Sequence, residues 1–192
     1  MQSLYSFLPN REGNLAQEID FFKKSYFNSF SLYLTLLAFL KSTYDHALSL
    51  KDLQKKLRTK KNIEQSPSLA GNKILQFIAK HPILVNHINK RKIKFWELDF
   101  DYVKSNFKTL AESKKYQDYS QKENPSVEED RDIITFFYKE VVAPSVGFYD
   151  YIEDKELTWI DDLPVVNTFI LRILQKIDPK NLNSLSFPKM NI

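Results

Sequence analysis

The sequence predicts an all-α protein, a bundle of about seven to eight helices with one long helix near the N-terminus. Three observations predict it. Glycine occurs three times in 192 residues, too few for a fold built on tight turns and phosphate-cradling loops. Apolar residues recur at steps of three, four or seven, the period of a helix buried on one side. The prolines fall mostly where such periodic segments begin or end. A hydrophobic content of 43% supports a real core and argues against disorder.

The elements follow in order. Leu4, Tyr5 and Leu8 mark one side of a short helical end, and Pro9, Asn10 and Gly13 break it. Asn14 then caps a long helix. Its apolar stripe runs through Ile19, Phe22, Tyr26, Phe30, Tyr33, Leu37, Tyr44 and Leu48, and it is expected to end near Arg58. Residues 59–66 read as a polar loop. Ser66-Pro67 starts a helix carrying Leu69, Ile74, Leu75 and Ile78, and Pro82 starts another with Leu84, Val85 and Ile88 inside.

Asp99 or Asp101 is expected to cap a helix burying Val103, Phe107 and Leu110, with Tyr116 and Tyr119 in a polar stretch after it. Glu128, Glu129 and Asp130 suit a first turn, where the helix dipole favours negative charge, ahead of Ile133, Ile134, Phe137, Tyr138 and Val141. Pro144 ends that helix and precedes a short one with Phe148, Tyr151 and Ile152. Asp161 or Asp162 caps the last helix, which buries Val166, Phe169, Ile170, Ile173, Leu174 and Ile177 and stops at Pro179. The chain is expected to form one helical domain over 1–192, with 179–192 as a loose tail.

A weak internal repeat is visible. Trp96-Glu-Leu-Asp99 and Trp159-Ile-Asp-Asp162 each precede a helix, with Val103 and Val166 at the same offset. The physical reading is a tryptophan plugging the layer below while an acid caps the helix above.

Composition excludes several kinds of chemistry. There is no cysteine, which removes disulfides, thiolate metal sites and a cysteine nucleophile, and fits a cytoplasmic location. The N-terminus lacks the basic start and apolar run of a signal peptide. The most apolar run, Phe30 to Leu40, is half the roughly 20 residues a membrane span needs. His46, His81 and His87 have no metal-binding spacing and read as surface or boundary residues. No GxSxG, GxGxxG or GxxxxGK[ST] is present, and the Glu128/Glu129 and Asp161/Asp162 pairs read as helix-start acids. The expectation is a binding module without catalytic residues, metal or cofactor.

Charge layout supplies the candidate site. Between Lys51 and Lys94 there are 12 lysines or arginines against two acids, a net +10; between Gln121 and Asp162, 12 acids against four bases, a net −8. Lys51, Lys55, Lys56, Arg58, Lys60 and Lys61 form one cluster, and Lys90, Arg91, Lys92 and Lys94 a second. Cations near a helix C-terminus complement its dipole, which is the structural reading of the first cluster. The functional reading of both is contact with RNA phosphates, salt-dependent and tolerant of sequence.

Met1-Gln-Ser-Leu-Tyr-Ser-Phe7 resembles the first-helix segment of NusB, the bacterial transcription antitermination factor. Three further pieces resemble the long N-terminal half of the Bacteroidetes type of that family: Tyr116-Gln-Asp-Tyr119, Glu129-Asp130 before an apolar helix, and Trp159-Ile-Asp-Asp162-Leu-Pro-Val-Val166-Asn167. The resemblance implies an all-helical transcription regulator that binds boxA-like RNA and a NusE-type ribosomal protein on RNA polymerase, without cofactor. Gln2 and Tyr5 match the first-helix motif, on the surface the resemblance assigns to RNA or NusE. Leu4 and Leu8 flank Tyr5, so it reads equally as part of a core. The family's arginine-rich start and C-terminal bundle have no counterpart here, so the chain is expected to be such a factor or its N-terminal portion. The alternative is a helical protein-interaction or scaffolding domain that does not bind RNA.

Overall fold

The computed structural model describes residues 15–57, 68–185 and 187. Helix α1, Leu15–Leu57, is the axis of the molecule. No proline or glycine interrupts it, and from Phe30 to Leu40 every residue except Ser31 is buried. A helix apolar on all sides must be covered on all sides. Helices α2 (Lys73–Lys80), α3 (Pro82–Arg91), α4 (Phe95–Leu98), α5 (Phe100–Glu112) and, near the C-terminus, Trp159–Lys176 all pack against it. Between α5 and that last helix lie α6 (Lys114–Ser120), α7 (Val127–Phe136) and α8 (Val146–Lys155), making Trp159–Lys176 the ninth α-helix among the described residues, α9. Among the described residues there is no strand, and no helix is long and apolar enough to cross a membrane.

Short polar side chains set the helix starts. Asn72 Oδ1 accepts from Leu75 N at 2.8 Å, Ser113 Oγ from Tyr116 N at 3.2 Å and Ser145 Oγ from Phe148 N at 3.4 Å. At α7 a capping box forms: Ser126 Oγ accepts from Glu129 N at 3.2 Å while Glu129 Oε2 accepts from Ser126 N at 2.7 Å. The acids before Ile133 thus start a helix, as the sequence predicts.

The expected aspartate caps fail at the other helices. Asp99 stands at the N-cap of α5, yet its carboxyl makes no capping bond; it accepts from Tyr151 Oη at 2.8 Å and pairs with Lys155 at 3.1 Å. Helix α9 begins at Trp159, so Asp161 and Asp162 lie inside its first turn, and Asp162 Oδ2 accepts from Ser29 Oγ at 2.6 Å. Both acids act between helices because an uncovered partner on a neighbouring helix competes with the local N–H groups.

The two tryptophans both plug onto α1. Trp96 Nε1 donates to Thr35 O at 2.7 Å and Trp159 Nε1 to Asn28 Oδ1 at 3.0 Å. The two acceptors lie on one helix, two turns apart. Around Trp96 the core is aromatic, with Phe39 at 5.0 Å, Tyr151 at 5.0 Å and Phe148 stacked at 5.4 Å.

Other expectations are corrected. Tyr116 and Tyr119 are buried on α6, where one short turn presents both to the core. Helix α7 runs on into a π-helical segment, Phe137–Val142, closed by Ala143 N to Tyr138 O at 2.9 Å; it buries Phe137, Tyr138, Val141 and Val142 together. His81 is buried rather than at the surface, because the chain beyond Pro179 returns over it: His81 Nε2 lies 2.9 Å from Leu182 O, and the Phe187 ring 5.3 Å from the imidazole. In the described part of 179–192, Leu185 is buried and Phe187 also lies against Tyr33 and His87, while 180–183 are exposed. Finally, the apolar stripe of α1 outruns its cover, since Ile19 and Phe22 are exposed and Tyr26 is partly so.

Candidate functional site

The second basic cluster is built on a helix end. Helix α3 finishes in a Schellman motif: Ile93 N donates to Ile88 O at 3.0 Å and Lys92 N to Asn89 O at 3.2 Å. Lys92 takes the left-handed conformation this turn requires, at φ 54°, a position that glycine usually fills. The turn splays the cluster. Lys90, Lys92 and Lys94 are exposed. Arg91 points the other way: its guanidinium lies 4.9 Å from the Phe30 ring centroid and 5.9 Å from Phe27, and Nη1 donates to Ser31 Oγ at 3.0 Å. Arg91 therefore staples α3 to α1, and its charge is committed to aromatic faces.

In the first cluster, Lys51 is half-buried while Lys55 and Lys56 are exposed in the last turn of α1, where they complement the helix dipole. Arg58, Lys60 and Lys61 lie outside the described residues, as do Gln2 and Tyr5. The described members of the two clusters are not brought together. Arg91 meets α1 at Ser31, and Lys51 is 20 residues further along that helix, about 30 Å at 1.5 Å per residue. One nucleotide cannot bridge them; a strand of several nucleotides can.

The acidic half of the sequence adjoins the second cluster. Phe95, next to Lys94, packs at 6.1 Å against Trp159, and the Lys155 ammonium sits 5.9 Å from its ring. The exposed Glu153, Asp154, Glu156 and Asp161 ride on these same elements. They lower the positive potential on that flank, so a polyanion is steered to the Lys90 and Lys92 side.

An apolar groove of about 510 Å³ separates α1 from α9. Tyr26, Phe30 and Tyr33 form one wall, Val165 and Phe169 the other, and Arg172 stands on the rim. Phe169, expected to be buried, is 38% exposed because nothing described lies beyond it. The groove opens onto the uncovered stripe of α1, so apolar surface continues from Leu15 to Phe169. Sequence periodicity contained this signal: the stripe extends about three turns past the point where a covering helix begins.

A smaller hollow of about 360 Å³ lies by the returning tail, with Lys73, Lys80, Lys180 and His81 among its lining. Leu182 O can only accept, so His81 Nε2 carries the proton, and Nδ1 is buried with no hydrogen-bond partner among the described residues.

Burial, and then Lys104, lowers the pKa of His46. Burial, and then Arg91 and Lys90, lowers that of His87. Among the described residues no group of three or more His, Asp or Glu side chains is placed to hold a metal ion. No family model matches the chain, and no similar curated protein or solved structure was found.

Proposed function

We propose that the chain is a NusB-like transcription antitermination factor or its N-terminal portion, a non-catalytic adaptor that binds RNA through lysines and a ribosomal-protein partner through apolar surface. One observation carries this reading. The motifs behind the resemblance that fall among the described residues supply contacts that pin the bundle together: Tyr119 to Asp130, Trp159 to Asn28, Asp162 to Ser29, and Asn167 Oδ1 accepting from Tyr138 Oη at 2.6 Å. A shared scaffold would keep such residues, because each contact ties two helices whose relative position sets the surface.

On this reading Lys90, Lys92 and Lys94 contact phosphates and Arg91 does not. Three phosphate contacts to a single strand correspond to a salt slope of about −2, or a loss of roughly twentyfold between about 50 and about 200 mM salt. Fluorescence anisotropy of a boxA-like RNA at those two concentrations tests it. Salt-independent binding, or none, counts against RNA contact through lysines.

The continuous apolar surface favours a second reading, a helical protein-interaction domain without RNA. Capture of a protein partner that persists after nuclease treatment, together with no RNA shift, selects it.

A further inference from the structure

The uncovered stripe and the groove lie end to end on the same helix. Leu15, Ile19, Phe22 and Tyr26 follow one another at steps of four, three and four, and are 55%, 47%, 53% and 36% exposed. That spacing makes a straight seam suited to packing against another helix. The first three turns of α1 project as an arm: from Leu15 to Tyr26 every residue but Glu18 is exposed. The groove beside Tyr26 is open, apolar and shaped by two helices, with one cation, Arg172, on its rim. A projecting apolar arm next to an open apolar groove is self-complementary under a two-fold axis.

We infer that this face joins two copies of the chain, with α1 arms antiparallel and a two-fold axis beside Tyr26, so that each arm fills the other copy's groove. The register follows from the arithmetic of the helix. Ile19 of one copy comes level with Tyr33 of the other, and Phe22 with Phe30. Glu18 comes level with Leu34, beside the Arg172 end of the groove, because α9 is fixed there by the Phe169 ring 5.4 Å from Tyr33. An acid on the arm meets the cation on the rim, twice by symmetry. The exposed halves of Phe22, Tyr26 and Phe169, with Leu15, Ile19 and Val165, bury on the order of 1,000 Å² over the pair, enough for a specific interface of modest strength. The inference does not depend on RNA binding.

Sedimentation velocity of the full chain, from micromolar to hundreds of micromolar, is the first test, and the expected result is a monomer–dimer equilibrium. Phe22→Asp is expected to weaken it by roughly tenfold or more, with unchanged helical circular dichroism because Phe22 is exposed. Glu18→Arg and Arg172→Glu each weaken the dimer, and the two together restore it. Since the chain has no cysteine, a single introduced thiol reports its own neighbour. Tyr26→Cys is expected to form a disulfide-linked dimer on oxidation, and Ile19→Cys is not, because the two copies of residue 19 stand about 20 Å apart along the antiparallel arms. A monomer at every concentration overturns the inference, whatever else fills the groove. So does a dimer indifferent to Phe22→Asp, or equal cross-linking at positions 19 and 26, which would place the arms parallel.

Discussion

Tyr119 Oη donates to Asp130 Oδ1 at 2.6 Å, deep in the interior and between α6 and α7. The other oxygen of Asp130 accepts from Lys73 N at 2.8 Å, at the first residue of α2. Asn72 Nδ2 completes the cluster, donating to Asp130 O at 2.9 Å and lying 3.1 Å from Tyr119 Oη. Three helices are thus fixed by groups that are all partnered, the condition under which a buried polar network adds order rather than cost. Burial first, and then the Asp130 side chain, pushes the Tyr119 phenol well above its ordinary pKa.

This network sets the first expectation. Tyr119→Phe removes one hydroxyl and is expected to cost about 1 to 2 kcal/mol. Asp130→Ala strands the phenol and the Lys73 amide together and is expected to cost about 3 kcal/mol. Chemical denaturation of each variant measures both. Equal costs would mean that the Asp130–Lys73 contact contributes nothing.

The tryptophans are expected to differ in cost from ordinary core residues. Trp96→Phe keeps most of the packing but loses the bond to Thr35 O, at about 1 to 2 kcal/mol; Trp96→Ala adds a cavity among Phe39, Phe148 and Tyr151 and costs about 3 to 5 kcal/mol. Thermal unfolding orders the variants. A neutral Trp96→Ala would contradict its place as the plug by which α4 seats on α1.

Two pH responses follow from opposite shifts. The Glu129 carboxyl is held down at about 2, by Lys122 first and then by the backbone and hydroxyl of Ser126. A depressed acid stabilises the fold above its unfolded pKa, near 4.3, and that contribution fades as pH falls towards 2. The lowered His46 and His87 work near neutrality. Each is favoured neutral in the fold, so stability falls as pH drops below about 6.5 and the unfolded chain takes up protons first. Melting temperatures from pH 8 to 2 are expected to show both limbs. Glu129→Gln flattens only the acid limb, and His46→Phe with His87→Gln only the upper one; a profile unchanged in either variant would contradict the assignment.

Within the second basic cluster, neighbours in sequence separate in role. Lys90→Glu, Lys92→Glu and Lys94→Glu are expected to weaken RNA binding several-fold each and to lower the melting temperature less than Arg91→Ala does, through the dipole of α3 alone. Arg91→Ala is expected to cost about 1 to 2 kcal/mol of stability through its contacts with Phe30 and Ser31. Paired binding and melting measurements on the four variants decide this. A Lys92→Glu more destabilising than Arg91→Ala would place Lys92, not Arg91, in the staple.

The long helix, the breaks at Pro82 and Pro144 and the acidic start of α7 were legible because each rests on local chemistry. What was not legible depends on distant partners. Tyr116 and Tyr119 sit among lysines and glutamines, and only distant partners make their burial sensible: the Phe107 ring beside Tyr116, and Asn72 and Asp130 at the hydroxyl of Tyr119. His81 is covered by a tail 101 residues later, with no local sign of it. Asp99 and Asp162 looked like caps because spacing records that an acid stands at a helix start, not that Tyr151 or Ser29 faces it from another helix. At the candidate site, charge density was legible, but the direction of each side chain was not. Arg91 lies within a basic run and yet turns inward, because its place on α3 points it at Phe27, Phe30 and Ser31 of α1, while the left-handed turn at Lys92 carries the following lysine away.

The central claim, an adaptor that joins RNA to a protein partner, is tested most directly by a titration of boxA-like RNA with and without a NusE-type ribosomal protein. The account predicts that the partner tightens RNA binding, and that Lys92→Glu weakens RNA binding both with and without the partner. RNA binding that is absent with and without the partner would contradict it.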